Sequence, residues 1–173
     1  VTSAFQSRYR IANAFDRTSA SGTHEIVVDY TDWSRPGNIT RGSDPLTGSI
    51  CRVVLDPAAG TIRVERFSDR ISDFARIDDR LTGQEHHAFV VTATSEDHTG
   101  SGQHNEVIHV DTRTGASTSW NGGTSDFAEL CFVPAAGGAT EEGYYVTFRT
   151  DRETLESDFV VLAADDIAAG PIA

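Results

Sequence analysis

DFAELCFVPAAGGATEEGYYVTFRTDRETLESDFVVLAADDIAAGPIA, residues Asp126 to Ala173, is the run from which the fold is read. Three apolar segments, LCFVP, YYVTF and DFVVLA, are separated by turn-forming residues. That spacing predicts consecutive short antiparallel strands. One acid, Glu129, stands at the head of the first segment, where a strand enters the core.

Upstream, the same texture recurs. AFQSRYRIANAF (4–15), THEIVVDYTDW, SICRVVLD, GTIRVERF, HHAFVVTAT, NEVIHVD and ASTSW are strand candidates rich in β-branched and aromatic residues. SRPGNITRGSDPLTG is a long polar loop, of a length that is often functional. Residues 68–83 read as charged and irregular. No long helix is expected; LAADDIAAG is suited to a single turn of one. Asp56–Gly60, Asp111–Gly115 and Asp151–Leu155 repeat one hairpin device, Asp-x-x-x-Gly, with Leu155 in place of the third Gly. Asp caps such a turn through its side chain, and Gly supplies the positive φ. The copies begin 55 and 40 residues apart, the interval of four-stranded propeller blades. The fold class expected is all-β, part of a β-propeller, with a β-sandwich as the alternative.

The 173 residues suffice for one domain or a piece of a larger one. A formal charge of -12 argues against nucleic acid as a partner, because phosphate binding needs clustered cations. Every cation is Arg; Lys and Met are both missing, and a chain without Met reads as a processed product, an excised domain or a fragment. No run has the length of a membrane-spanning helix or the look of a signal peptide. Cys51 and Cys131 lie in apolar segments without C-x-x-C spacing. Both are expected to be buried free thiols in a reducing, cytoplasmic setting.

No nucleophile elbow or phosphate-binding Gly loop is present. His86 and His87, adjacent on a strand, would face opposite sides. His104 and Glu106 have the i, i+2 spacing of two ligands on one strand face, against the simpler reading of solvated loop residues. His98 falls in the same Gly/Ser-rich loop, and His109 in a strand facing solvent or a neighbouring blade. Asp73, before Phe74, and Glu129, before LCFVP, set carboxylates among residues that should be buried, and buried carboxylates need partners. The partner is either a metal-bound His or, more simply, a hydrogen bond or an Arg.

Four segments in order resemble the carotenoid cleavage oxygenase family, which includes the lignostilbene dioxygenases and the retinal pigment epithelium isomerase. RYRIANAFD is similar to its Phe-His-x-x-Asn-Ala-Phe/Tyr-Glu segment. RVVLDPAAGTIRVERFSDRISDFARIDDRLTGQEHHAFVV is similar to the stretch with Glu-Phe-Pro-Arg-Ile-Asp and a following Gly-x-x-His. AELCFVP is similar to Ser/Gly-Glu-Pro-x-Phe-Val-Pro. The final run, from Glu141, is similar to Asp-Asp-Gly, a strand, a hairpin and Leu-Asp-Ala-x-Asp.

The resemblance implies a seven-bladed β-propeller, of which this chain would be about three C-terminal blades in a single partial domain. It implies an axial non-haem Fe(II) held by four His, three of them supported by Glu. With O2, such enzymes cleave a conjugated double bond in carotenoids, apocarotenoids or stilbenes. Glu129 falls on one supporting Glu. Asp73 falls on another, shorter by a methylene, with Ala75 for the family's Pro. The third iron ligand falls on Arg10, which cannot ligate a metal. The first two ligands belong upstream and the fourth downstream. His86 matches a family His that follows a Gly, here Gly83, with no catalytic role implied. The chain alone is therefore expected to bind no iron and to be inactive. The alternative is a degenerate, non-catalytic β-domain that binds an apolar ligand or a protein. Exposed blade edges predict self-association.

Overall fold

Alternating apolar residues and three like hairpins fold as the sequence leads one to expect. The computed structural model describes residues 7–33, 48–97 and 103–173, with nothing described of the side chains of residues 7–9 and 33. The long polar loop, apart from its last residue Gly48, and His98 lie outside the described residues. Among the described residues, twelve strands form three antiparallel sheets in chain order. The first contains β1 (Ser7–Thr18), β2 (His24–Trp33), β3 (Gly48–Asp56) and β4 (Thr61–Ser68). The second contains β5 (Ser72–Arg76), β6 (Ala88–Ala93), β7 (Glu106–Asp111) and β8 (Ser117–Asn121). In the third, β9 (Ser125–Phe127) and β10 (Cys131–Pro134) lie in line along β11 (Gly143–Asp151), which pairs on its other side with β12 (Ser157–Ala163). Residues 68–83, expected to be irregular, contain β5 and a 3-10 turn at Asp79–Leu81. The final LAADDIAAG segment forms only a 3-10 turn, Ile167–Ala169.

The three hairpin turns are one device in fact as well as in sequence. Asp56, Asp111 and Asp151 each accept from the backbone N–H groups two and three residues on. The fifth residue has positive φ in every copy: 68° at Gly60, 74° at Gly115 and 59° at Leu155. Leu155 thus adopts a backbone that suits Gly, because the turn geometry outweighs its local preference.

Each sheet buries side chains between itself and the next. Ile50 from the first sheet packs with Ala75, Phe89, Val91, Ile108 and Val110 of the second. Val90 and Val107 of the second pack with Phe127, Leu130, Phe132, Tyr145 and Leu162 of the third. Strand period two then sends alternate residues to the far faces. On the first sheet these are Val28, Tyr30, Cys51, Val53 and Leu55, next to the exposed Ile62 and Val64. On the third they include the cross-strand pair Phe148 and Phe159, both more than half exposed. The stack therefore ends in apolar surface on both sides. Cys51 is buried as expected, but Cys131 is exposed. In β10 Phe132 takes the inward position, so its neighbour Cys131 faces out.

Candidate functional site

Each sheet contributes one of the residues singled out from the sequence. Arg10 lies on β1, Asp73 on β5, and Glu129 in the break between β9 and β10. β5 connects them. The Arg10 Nε lies 3.4 Å from the Asp73 carboxylate, and Arg76, three residues further along β5, pairs with Glu129. Each acid thus has an Arg partner, the simpler of the two expectations.

Backbone irregularities set these side chains in place. The β1–β2 register shifts on both sides of Arg10–Ile11, and the β5–β6 register shifts between Asp73 and Arg76. Bulges of this kind re-aim side chains. Phe74, inside the second shift, has φ of 52°, and its N–H donates to Asp73 Oδ1 at 2.8 Å. The Asp73 side chain is almost fully buried, whereas the Arg10 side chain is about half exposed, at 46%. The Arg10 guanidinium lies over the Phe74 ring, 5.3 Å from its centroid.

Glu129 differs from expectation: its side chain is exposed rather than buried among core residues. Between β9 and β10, Ala128, Glu129 and Leu130 stand opposite only Thr147 and Phe148 of β11. The extra residue turns Glu129 outward, and Leu130 takes the core position.

His104 is a contributor that sequence reasoning reduced to loop. Its ring packs edge-on against Phe74 at 5.8 Å, and its backbone N–H donates to Asp126, which Arg152 pairs. Burial pushes its pKa down, against the opposing pull of the Asp73 and Asp126 charges. Its Nδ1 is buried without a hydrogen-bond partner. Glu106, its proposed co-ligand, is buried on β7 and faces Arg70 at 3.6 Å. Among the described residues, no group of three or more His, Cys, Asp or Glu is arranged to hold a metal ion.

Behind this corner lies a network that the sequence did not reveal. Asp29 and Arg52 are direct cross-strand partners on β2 and β3. Arg52 donates through Nε and Nη2 to both Asp29 oxygens at 2.8 Å, with both side chains buried. The guanidinium sits between the Phe15 and Phe67 rings. His86 is fully buried, with Nε2 at 2.9 Å from Asp29 Oδ2 but off-line for a hydrogen bond, and Nδ1 at 3.1 Å from Asn13 Nδ2. His87 is exposed, so the adjacent pair does face opposite ways. Asn13 also donates to the carbonyls of Leu81 and Gln84 and accepts from Gly83 N–H. Burial pushes the Asp29 pKa up, but the hydrogen bonds and charge of Arg52, with the His86 ring close by, outweigh it and hold the carboxyl below the usual range. The network ties β1, β2 and β3 to the β5–β6 connection and so fixes Arg10 relative to Asp73. Position spacing alone gave no signal for Asp29 or Arg52, because their partners are 23 or more residues away.

On the open face of the first sheet, Ile11, Val28, Tyr30, Val53, Leu55 and Ile62 line an apolar concavity of about 590 Å³ with Arg10 at its rim.

A sequence model described as retinal pigment epithelial membrane protein matches residues 3–173. The apocarotenoid-15,15'-oxygenase of Synechocystis sp. is 28% identical over 128 residues, covering 73% of this chain and 26% of that protein. The cobalt-substituted crystal structure of Synechocystis ACO superposes with a TM-score of 0.81 at 23% identity, over 95% of this chain and 35% of that one. The lignostilbene dioxygenase of Pseudomonas brassicacearum gives a TM-score of 0.79 at 26% identity, over 97% of this chain and 38% of that one. The chain thus spans about a third of the length of these solved relatives. The three sheets correspond to part of a β-propeller.

Proposed function

The chain belongs to the retinal pigment epithelial membrane protein family, the carotenoid oxygenases, and on that footing we propose that it forms about three C-terminal blades of a seven-bladed propeller. The whole would cleave a conjugated double bond in a carotenoid, apocarotenoid or stilbene with O2. The observation that carries this reading is the match of three successive sheets to the propeller of such oxygenases over nearly the whole chain. Glu129 would support an iron-ligating His contributed from outside these 173 residues.

The chain's own residues do not fit Fe(II). Arg10 stands at the ligand position with no lone pair to give, and Asp73, the supporting acid beside it, is already paired with that Arg. No catalytic step is therefore assigned to this chain, and by itself it is inactive. The test is iron analysis of purified protein together with a bleaching assay on an apocarotenoid and a stilbene. Neither bound iron nor bleaching is expected; one tightly held iron per chain with turnover would refute the reading.

The Arg10–Asp73 pair favours a second reading, a non-catalytic β-domain that binds an apolar molecule or a protein. The concavity beside Arg10 is the place for such a molecule. A cytoplasmic location is part of either reading; no helix among the described residues is long and apolar enough to cross a membrane. Apolar surface on both outer sheets supports self-association of the isolated chain. Sedimentation giving a compact monomer at all concentrations would count against it.

A further inference from the structure

We infer that Arg10 stands in for a metal: its guanidinium is the cation that the buried Asp73 carboxylate requires, and its presence keeps divalent metal out of this corner. The inference rests on the family reading for where a metal would sit, and on geometry alone for the pair.

A carboxylate with almost no solvent contact must be compensated by hydrogen bonds and an opposite charge. Asp73 has the Phe74 N–H at 2.8 Å and the Arg10 Nε at 3.4 Å. Arg10 is always protonated and offers only donors, so it satisfies the acid without offering a coordination site. Two chain distortions serve this one contact. β1 is shifted on both sides of Arg10, and β5 is shifted just after Asp73, with Phe74 turned to positive φ so that its ring lies under the guanidinium. Local distortion of this kind persists where the surroundings fix a particular side-chain arrangement.

The lengths of the two side chains also match. Where the sequence resemblance sets His with Glu, this chain has the longer Arg with the shorter Asp. The two departures from the family pattern are therefore in contact with each other, and each accommodates the other. The Phe74 ring also meets His104 edge-on at 5.8 Å, and the His104 Nδ1 is buried without a hydrogen-bond partner. Asp73 and His104 thus both lie against Phe74, whose ring Arg10 covers. Replacing the guanidinium by an imidazole would set a second group able to ligate beside the Asp73 carboxylate.

The experiment uses the full chain labelled with 15N, titrated with Co(II) and followed by backbone amide signals. In the wild type, the Ile11, Phe74 and His104 amides keep their intensity with cobalt in large excess. In Arg10→His the same amides broaden selectively and saturably. Wild-type broadening at those amides overturns the inference, and so does an Arg10→His chain that stays sharp. A thermal-melting cycle of Arg10→Gln, Asp73→Asn and the double variant tests the pair itself. The double variant is expected to melt above Asp73-intact Arg10→Gln; strict additivity of the two losses overturns the pairing. Iron binding with turnover in the bleaching assay, alongside sharp wild-type amides, would instead refute the functional reading and leave the pair standing.

Discussion

Replacing Asp29 by Asn should be among the most damaging single changes available in this chain. The carboxylate is fully buried, and the Arg52 side chain it neutralises is only 6% exposed. Asp29→Asn keeps the shape but removes the charge. Arg52 is then left in the interior with no counter-charge, one amide oxygen in place of the carboxylate, a weak contact to the Thr112 carbonyl at 3.5 Å, and two aromatic rings. Breaking a buried ion pair from one side costs about 3–5 kcal/mol. For a chain of this size each kcal/mol lowers Tm by roughly 2–4 °C, so a fall of about 6–20 °C follows. Urea unfolding at low micromolar concentration, followed by Trp fluorescence, measures the loss. The companion variant, Asp29→Leu with Arg52→Met, removes both charges. It should recover most of the loss, because an apolar pair avoids the desolvation cost of two ions. The reasoning fails if Asp29→Asn lies within about 1 kcal/mol of wild type, or if the double variant is less stable than the single one. The same carboxyl sets an acid limb. Its folded-state pKa is depressed, so its stabilisation is fully present above the ordinary carboxylate value of about 4. It is lost as pH falls through the lower folded-state value.

Leu155→Gly should stabilise the chain by roughly 0.5–1 kcal/mol, since the position has φ of 59° and its two counterparts are Gly; a lower melting temperature would contradict the turn assignment. The His104 pKa is pushed down by burial, so unfolding takes up protons below about pH 6.5. Stability should therefore decline as pH drops from that value toward the folded-state pKa, and His104→Gln should flatten that slope in urea titrations run downward from about pH 6.5. Cys131 is exposed and Cys51 buried; a thiol reagent should modify one sulfur per native chain and the second only on unfolding, and equal rates for both would refute the placement. Gly143→Ala places a Cβ 2.2 Å from the Val133 carbonyl oxygen, so the β10–β11 pairing should weaken and melting should fall by several degrees.

The site was only partly legible. Arg10, Asp73 and Glu129 were identified by position within motifs, yet the contact between Arg10 and Asp73 joins strands 63 residues apart in the chain. Glu129 read as buried because it precedes an apolar run. The extra residue between β9 and β10 reversed its direction, and bulges leave little trace in an alternating pattern. His104 read as solvated because its flanks are Gly and Ser, but Phe74 from another strand covers it. Asp29 and Arg52 were not singled out by the sequence, their partners being distant along the chain. They face inward because the first sheet is packed on its inner side and apolar on its outer side too.

By itself, the sequence determined what depends on neighbours along the chain. Period-two alternation gave the strands, Asp-x-x-x-Gly gave the three hairpins, and their spacing gave successive sheets. These are short-range effects of pleat, turn geometry and side-chain capping, and they act wherever the local pattern occurs. Only the tertiary structure decided which charges meet. Whether Arg10 faces a metal or a carboxylate depends on how β1 and β5 pack, and on two bulges that aim their side chains. A buried charge takes whichever counter-charge the packed fold brings within reach, and reach in space is not a property of sequence separation.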